Sequence, residues 1–183
     1  MEIRSTPIKD VYELYPKVFK DARGFFLETY REDLLEKHGI NTRWVQDNQS
    51  FSVAGTVRGL HFQHAPHAQA KLVRVISGKV YDVCVDLRKD SPTFGQHHGL
   101  ILDGEQHNML YVPAGFAHGF SVLEDAVFTY KCGSFYHKAS EGGVIWNDAQ
   151  LNIDWQVEEA LVSEKDQELP SLEEFVKQTG GGL

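Results

Sequence analysis

The 183-residue sequence contains no apolar run of the length that crosses a bilayer, which takes about 20 consecutive residues. Its first residues, 1–5, also lack the basic stretch followed by an apolar one that is typical of a secretion signal. These two absences argue against a membrane protein or an exported one. We therefore expect a cytoplasmic protein that has no membrane partner.

Positive charge is scarce as well. The chain has 18 Lys and Arg against 26 Asp and Glu, which gives a formal net charge of −8. A protein that binds nucleic acid without sequence preference needs a basic face to displace counterions, so we expect no nucleic-acid partner. A phosphorylated small molecule remains a candidate ligand, because a few Arg and Lys side chains that converge are sufficient to bind it.

Cysteine is the third shortage, since the chain has only Cys84 and Cys132. The two are far apart in the sequence and form no CxxC motif of the kind used in redox or zinc sites. Cys84 lies between Val83 and Val85, which favours the role of a small buried hydrophobic residue. Unpaired cysteines are typical of a reducing cytoplasm.

Short strand patterns are what the sequence has in abundance. Alternating or β-branched segments bounded by Gly, Pro and Asp predict strands. A two-residue hairpin turn is predicted at Ser77-Gly78, and only two short helices are expected, both of which should brace the fold from outside. Together they predict a mainly β sandwich or barrel. The predicted strands are 24–30, 43–48, 56–63, 71–76, 79–87, 108–112, 120–123 and 127–132, and the predicted helices are 32–38 and 171–178.

One predicted strand carries a histidine, His61, which alternation places on the same face as Gln63. Taken alone, a strand histidine is more often structural than functional. Arg58 falls on the opposite face, so it shares a site with His61 only if the strand has a bulge, for which Gly59 is suited. Asp82 and Asp86 share a face of a later strand, where a tethering role is favoured and a site role stays open.

The segment 113–118 has the pattern P-x-G-x-x-H, which matches the second half of the cupin motif. Lys71 stands where the first half has a metal-binding carboxylate, and of the two histidine positions only His67 is kept, the other being Ala65. A cation at a ligand position repels a divalent metal. We therefore expect a double-stranded β-helix (cupin, or jelly-roll) barrel with no metal site. A metal-dependent cupin that uses His67 and His118 remains an alternative.

A longer series of motifs, from about Pro16 to Asp166, resembles the dTDP-4-dehydrorhamnose 3,5-epimerase family. Each motif is weak alone, but so many in the same order are specific. The resemblance implies that the C3 and C5 centres of dTDP-4-dehydro-6-deoxy-D-glucose are inverted, giving dTDP-4-dehydro-L-rhamnose without a cofactor. The matching segments are 24–28, 45–48, 57–63, 91–96, 113–120, 130–131, 141–143, 145–148 and 163–166.

The resemblance also implies a role for each catalytic residue. His61 matches the base that removes a proton beside the C4 ketone, and Asp166 matches the carboxylate that orients it. Lys71 matches the cation that stabilises the enolate, and Tyr130 matches the phenol that protonates the opposite face of the ring.

Substrate binding and assembly follow from the same resemblance. Phe26 or Tyr136 is expected to stack on thymine or to line the sugar pocket. Family members are homodimers, and the segment around Arg23 and Glu28 is expected to enter the neighbouring subunit's site. The substrate-binding residues implied are Arg23, Glu28, Gln46, Asp47, Asn48, Arg58, Lys71, His118, Glu141 and Lys165.

We expect one domain over residues 1–183. Residues 1–50 would supply strands and a helix for dimer contacts, 51–135 the core barrel, and 136–183 the C-terminal strands, loop and short helix. Ala70 and Thr129 depart from the family pattern near the sugar pocket, which leaves open a relative that inverts only one carbon. A non-catalytic nucleotide-sugar binder is disfavoured, because base, orienter, cation and acid are all present.

Overall fold

The computed structural model describes residues 1–183, and its regular structure is mainly β. Ten strands form one continuous sheet, and two more, β3 and β4, form a separate ribbon. The strands are β1 (Glu2–Ser5), β2 (Tyr12–Tyr15), β3 (Val18–Asp21), β4 (Gly24–Leu27), β5 (Gln46–Ser52), β6 (Thr56–Gln63), β7 (Lys71–Asp86), β8 (His97–Asp103), β9 (Met109–Val112), β10 (Phe116–Cys132), β11 (Glu141–Gly143) and β12 (Leu161–Val162).

The helices are few and short, as predicted. They are α1 (Glu32–Glu36), α2 (Glu164–Gln167) and α3 (Leu172–Thr179), with one 3₁₀ turn at Lys138–Ser140. Ser171 caps α3, and Glu174 completes the predicted capping box. α1 ends two residues before the predicted 38, and α2 was not predicted. No helix of the fold is long and apolar enough to cross a membrane.

The two longest strands, β7 and β10, run through the whole sheet side by side. The first half of β7 pairs with β9, and its second half pairs with β8. In the same way, β6 pairs with the first half of β10 and β5 with its second half. The sheet therefore folds over along β7 and β10 into two facing halves, which is the predicted jelly-roll barrel.

The hairpin predicted at Ser77-Gly78 is wrong, because β7 continues through these residues. Gly78 has a left-handed φ of 81°, and a side chain there would overlap the backbone of Asp125 on β10. β10 is likewise one strand and not the two predicted. Its register with β7 shifts between Val122 and Phe128, opposite Ser77 and Gly78. Paired bulges bend both strands from one half of the barrel into the other.

Both outer faces of the barrel are covered by the short elements. α3 buries Phe175, and α1 buries Leu35. The inner core fills one part of the lumen with residues such as Val73, Cys84 and Phe128, and Tyr130 packs against it. The rest of the lumen is open to ligands, and it is there that the polar residues collect.

Candidate active site

His61 and Asp166 form an imidazole–carboxylate pair in the lumen. His61 Nε2 lies 2.7 Å from Asp166 Oδ1, although the residues are 105 positions apart in the sequence. The carboxylate also accepts a hydrogen bond from the Gly59 backbone N–H, at 3.3 Å. Burial raises the pKa of Asp166, but the hydrogen bond and charge of His61 outweigh it, so the pKa lies below its usual value.

A bulge at Gly59 places Arg58 and His61 in the same cavity. Between the pairs His61–His118 and Arg58–Phe120, β6 advances three residues while β10 advances two. Gly59 has φ 137°, and a Cβ there would lie 2.6 Å from the Cα of Gly119. Alternation alone would place Arg58 and His61 on opposite faces of β6. The extra residue at the bulge reverses the alternation, so both side chains face the same cavity.

Asp166 reaches the lumen because β12 pairs in parallel with β6, and α2, which follows β12 directly, therefore lies beside β6. Ser163 caps this short helix by accepting a hydrogen bond from the Asp166 N–H. Asp166 is 4% exposed, whereas its sequence neighbours Lys165 and Gln167 are exposed. A stretch that looks like a solvated loop in the sequence therefore buries one carboxylate.

Lys71 and Tyr130 lie on adjacent strands and face the same cavity. Lys71 on β7 pairs with Cys132 on β10, two residues beyond Tyr130. The Lys71 ammonium has no hydrogen bond or ion pair to a protein group, and burial lowers its pKa. Burial raises the pKa of Tyr130, and the Cys132 thiol adds to this effect.

A second imidazole–carboxylate pair is formed by His118 and Asp82. His118 Nε2 lies 3.0 and 2.9 Å from the two oxygens of Asp82, which is fully buried. Burial lowers the pKa of His118, although Asp82 opposes this effect. Asp86, in contrast, tethers a loop by accepting hydrogen bonds from Arg88 and neighbouring hydroxyls. Sequence reasoning left the role of Asp82 open.

These groups surround a cavity of two lobes, of about 360 and 310 Å³, which share His61, Lys71 and Tyr130. The larger lobe is amide-rich and the other is basic. The larger lobe is completed by Gln46, Asn48, Phe62, Gln63, Gln69, Tyr136 and Glu141. The other is completed by Ser50, Arg58, His118, Gly119, Phe120, Phe128, Ser163, Lys165 and Asp166.

Most predicted binding residues lie on these walls. Gln46 donates a hydrogen bond to Asn48, and Lys165 forms a 2.7 Å ion pair with Glu141. The Tyr136 hydroxyl also binds Glu141, at 3.1 Å. Burial raises the pKa of Glu141, but Lys165 outweighs it and lowers the pKa below its usual value.

Asp47 is not brought to this cavity. Alternation along β5 turns it to the face opposite that of Gln46 and Asn48, and its carboxylate forms a 3.0 Å ion pair with Lys131. The expectation that its side chain lines the site with its neighbours therefore fails within the subunit.

Three further predicted residues, Arg23, Phe26 and Glu28, also lie outside the cavity. The β3–β4 ribbon pairs only with itself, and Phe26 is exposed. Arg23 extends into solvent with 90% of its side chain exposed and is bonded only to Asp21, while Glu28 is bonded to Arg31.

No group of three or more His, Cys, Asp or Glu side chains converges as metal ligands do. His67, the other histidine of the cupin pattern, stacks on His137 with ring centroids 3.9 Å apart. It does not line the lobe that contains His118.

A barrel lumen that holds a histidine–aspartate pair, a free ammonium and a phenol defines an enzyme that moves protons by acid–base chemistry. Residues 5–174 match the family model described as dTDP-4-dehydrorhamnose 3,5-epimerase. The chain belongs to this family.

Individual relatives agree with this assignment. The chain is 49% identical to dTDP-4-dehydrorhamnose 3,5-epimerase of Shigella flexneri, over 91% of this chain and 93% of the relative. The crystal structure of dTDP-4-dehydrorhamnose 3,5-epimerase from Elizabethkingia anophelis superposes with a TM-score of 0.91, at 51% identity over 95% and 97% of the chains. That of dTDP-6-deoxy-D-glucose-3,5-epimerase from Legionella pneumophila, in complex with dTDP-4-keto-L-rhamnose, gives 0.91 at 45% identity over 94% and 93%.

Proposed function

We propose that this chain inverts C3 and C5 of dTDP-4-dehydro-6-deoxy-D-glucose and so forms dTDP-4-dehydro-L-rhamnose, in dTDP-L-rhamnose biosynthesis. The observation that carries the proposal is the meeting of His61, Lys71 and Tyr130 around one cavity. Both carbons flank the C4 ketone, so one set of acid–base groups is sufficient for both inversions.

The base of the proposed reaction is His61. Because the Asp166 carboxylate accepts the hydrogen of Nε2, the lone pair of His61 is on Nδ1, which is the atom that takes the proton. The imidazolium formed in this step is stabilised by the same carboxylate, which is the arrangement of an oriented general base.

Removal of the proton puts negative charge on the ketone oxygen. The Lys71 ammonium is free to bind this oxygen, since no protein group occupies it. Tyr130 supplies the proton that completes each inversion. Between the two inversions His61 gives its proton to solvent and Tyr130 takes one up from solvent, which restores both groups. Burial raises the pKa of its phenol and so keeps it protonated until a strongly basic enolate carbon is present.

Arg58 and Lys165 line the same lobe as His61 and are the proposed partners of the diphosphate. Gln46, Asn48, Glu141 and Tyr136 line the other lobe and would bind the nucleoside. The sugar ring would lie between these groups, against His61, Lys71 and Tyr130, which both lobes share. The free thiols Cys84 and Cys132 fit the cytoplasm, where nucleotide sugars are made.

The enzyme is proposed to act as a homodimer in which each β3–β4 ribbon enters the partner's site. Support comes from the exposure of Phe19, Phe25 and Phe26, which leaves an apolar ribbon unpartnered next to a basic side chain, that of Arg23. Contacts from the partner would give Arg23, Phe26 and Glu28 the binding role that they lack within the subunit.

Mixing of two inactive variants tests the shared site. Arg23→Ala lacks a functional ribbon, and His61→Gln lacks the base. If sites are shared, a hybrid dimer has one intact site, so random exchange restores about a quarter of the wild-type activity. If each subunit is self-sufficient, mixing restores nothing and the dimer proposal fails.

The reaction itself is tested by incubation with dTDP-4-dehydro-6-deoxy-D-glucose in D₂O and proton NMR. Deuterium at both C3 and C5 is expected, since His61 removes each proton and Tyr130, which exchanges with D₂O, supplies its replacement. Label at one carbon alone would make the chain a mono-epimerase. Loss of exchange on treatment with a chelator would instead favour a metal-dependent cupin.

A further inference from the structure

Asp82 has a contact that the proposed reaction does not use. It lies on β7 opposite Phe120 and is fully buried, and its only side-chain partner is His118. Both carboxylate oxygens are within 3.0 Å of the same ring nitrogen, Nε2. Its only hydrogen-bonded link to the cavity is therefore His118, although its charge also opposes the lowering of the Lys71 pKa by burial.

The contact decides where the hydrogen of the His118 ring lies. A carboxylate accepts hydrogen bonds, so Nε2 carries the hydrogen. Every fully buried side-chain nitrogen and oxygen in the chain has a hydrogen-bond partner. Nδ1 of His118 has no protein partner, so this atom is not fully buried. Nδ1 is therefore open to the cavity that His118 lines.

The ring is also neutral at pH 7. Burial lowers the pKa of His118, and the charges of Lys71 and His61 add to this effect. A neutral ring with hydrogen on Nε2 presents a bare nitrogen to the ligand, which can accept a hydrogen bond but cannot donate one.

The other side chains of this lobe do not offer the same function. Arg58 and Lys165 are donors, and the two oxygens of Asp166 already accept from His61 and Gly59. The hydroxyls of Ser50, Tyr130 and Ser163 can accept a hydrogen bond but can equally donate one, whereas Nδ1 of a neutral His118 can only accept. A sugar ring carries hydroxyl groups, which need acceptors for their hydrogens. An anionic phosphate, in contrast, has no hydrogen to offer and would be repelled by a bare nitrogen.

We propose that Asp82 is a positioning residue that holds His118 with hydrogen on Nε2, so that Nδ1 accepts a hydrogen bond from a hydroxyl group of the substrate's sugar ring. The proposal rests on the function proposed above, because it takes the sugar ring held at His61, Lys71 and Tyr130 to reach His118, while the diphosphate is bound by Arg58 and Lys165. It makes Asp82 a determinant of which sugars bind, although Asp82 touches no substrate.

Asp82→Asn tests the proposal, with Asp86→Asn as the matched control on the same face of β7. We expect KM for the natural substrate to rise roughly tenfold in Asp82→Asn, with deuterium exchange at C3 and C5 retained. For one of the 2-deoxy and 3-deoxy analogues, wild type and Asp82→Asn should have the same KM, because the hydroxyl is missing. Asp86→Asn should leave each KM unchanged.

An unchanged KM in Asp82→Asn, or an equal rise in Asp86→Asn, would overturn the proposal. ¹⁵N NMR of the His118 ring in the wild-type enzyme gives a test that needs no variant. Hydrogen on Nδ1 instead of Nε2 would refute the tautomer on which the proposal rests. Absence of exchange in the wild type would refute the proposed function instead, so the two failures are distinguishable.

Discussion

The two histidine–aspartate pairs of the lumen use the same residue types in different surroundings. The His61 side chain is 32% exposed, while that of His118 is 7% exposed and its aspartate is fully buried. An imidazole that must gain and lose a proton needs access to the ligand and a neighbour that tolerates its charge. One that stays neutral is better held in the wall. The difference in burial, and not in residue type, is what suits His61 to the proposed role of base and His118 to that of a neutral acceptor.

Removal of the exposed imidazole should have the largest effect. His61→Gln is expected to lower the rate of deuterium exchange at both carbons by roughly 10²–10⁴-fold, because it removes the proposed general base. His98→Gln is a matched control, since His98 pairs with Glu13 at 3.0 Å but lines neither lobe. Near-normal exchange in His61→Gln would show that His61 is not the base, and the contrast with His118 would then have no functional meaning.

The carboxylates should differ in the kinetic constant that they control. Asp166→Asn is expected to lower kcat by roughly tenfold or more, because the imidazolium loses its counter-charge as it forms. KM should stay close to the wild-type value, in contrast to the KM effect expected for Asp82→Asn. Steady-state kinetics of both variants would measure this, and the same pattern in both would abolish the distinction.

The smallest expected effect is a dependence of the free energy of unfolding on pH, which arises from the buried His118–Asp82 pair. Because the folded pKa of His118 lies below the ordinary value of 6.5, the unfolded chain takes up a proton first as the pH falls. The contribution of His118 is thus complete above pH 6.5 and is lost as the pH falls below it. Urea unfolding at pH 7.5 and at pH 5.5 should show wild type losing more stability than His118→Gln. Parallel losses would contradict a neutral His118.

The sequence predicted the barrel and the polar wall better than the path of the chain. Alternation identified the bounds of β6 to the residue, although the bulge at Gly59 interrupts its ladder with β10. It missed the continuity of β7, since Ser77-Gly78 is as suitable for a bulge as for a turn. The choice depends on β10, about 45 residues away in the sequence, which bends at the same level.

The site shows the same limit. His61 and Lys71 lie on strands whose patterns reveal a face, whereas the burial of Asp166 depends on β12 and α2 docking onto β6. No local pattern predicts that contact, and only the family resemblance identified it. For Asp82 the sequence favoured a tethering role and left a site role open, because its partner His118 lies on another strand.

The contact of Gly59 with Gly119 has a consequence for attempts to redesign this enzyme. Any side chain at either position collides with the opposite backbone, so β6 and β10 would have to separate. That separation would displace the Gly59 backbone N–H, which donates a hydrogen bond to Asp166, and the strand that bears His61. Directed evolution toward new sugars should therefore keep both glycines and draw its diversity from the lobe walls instead.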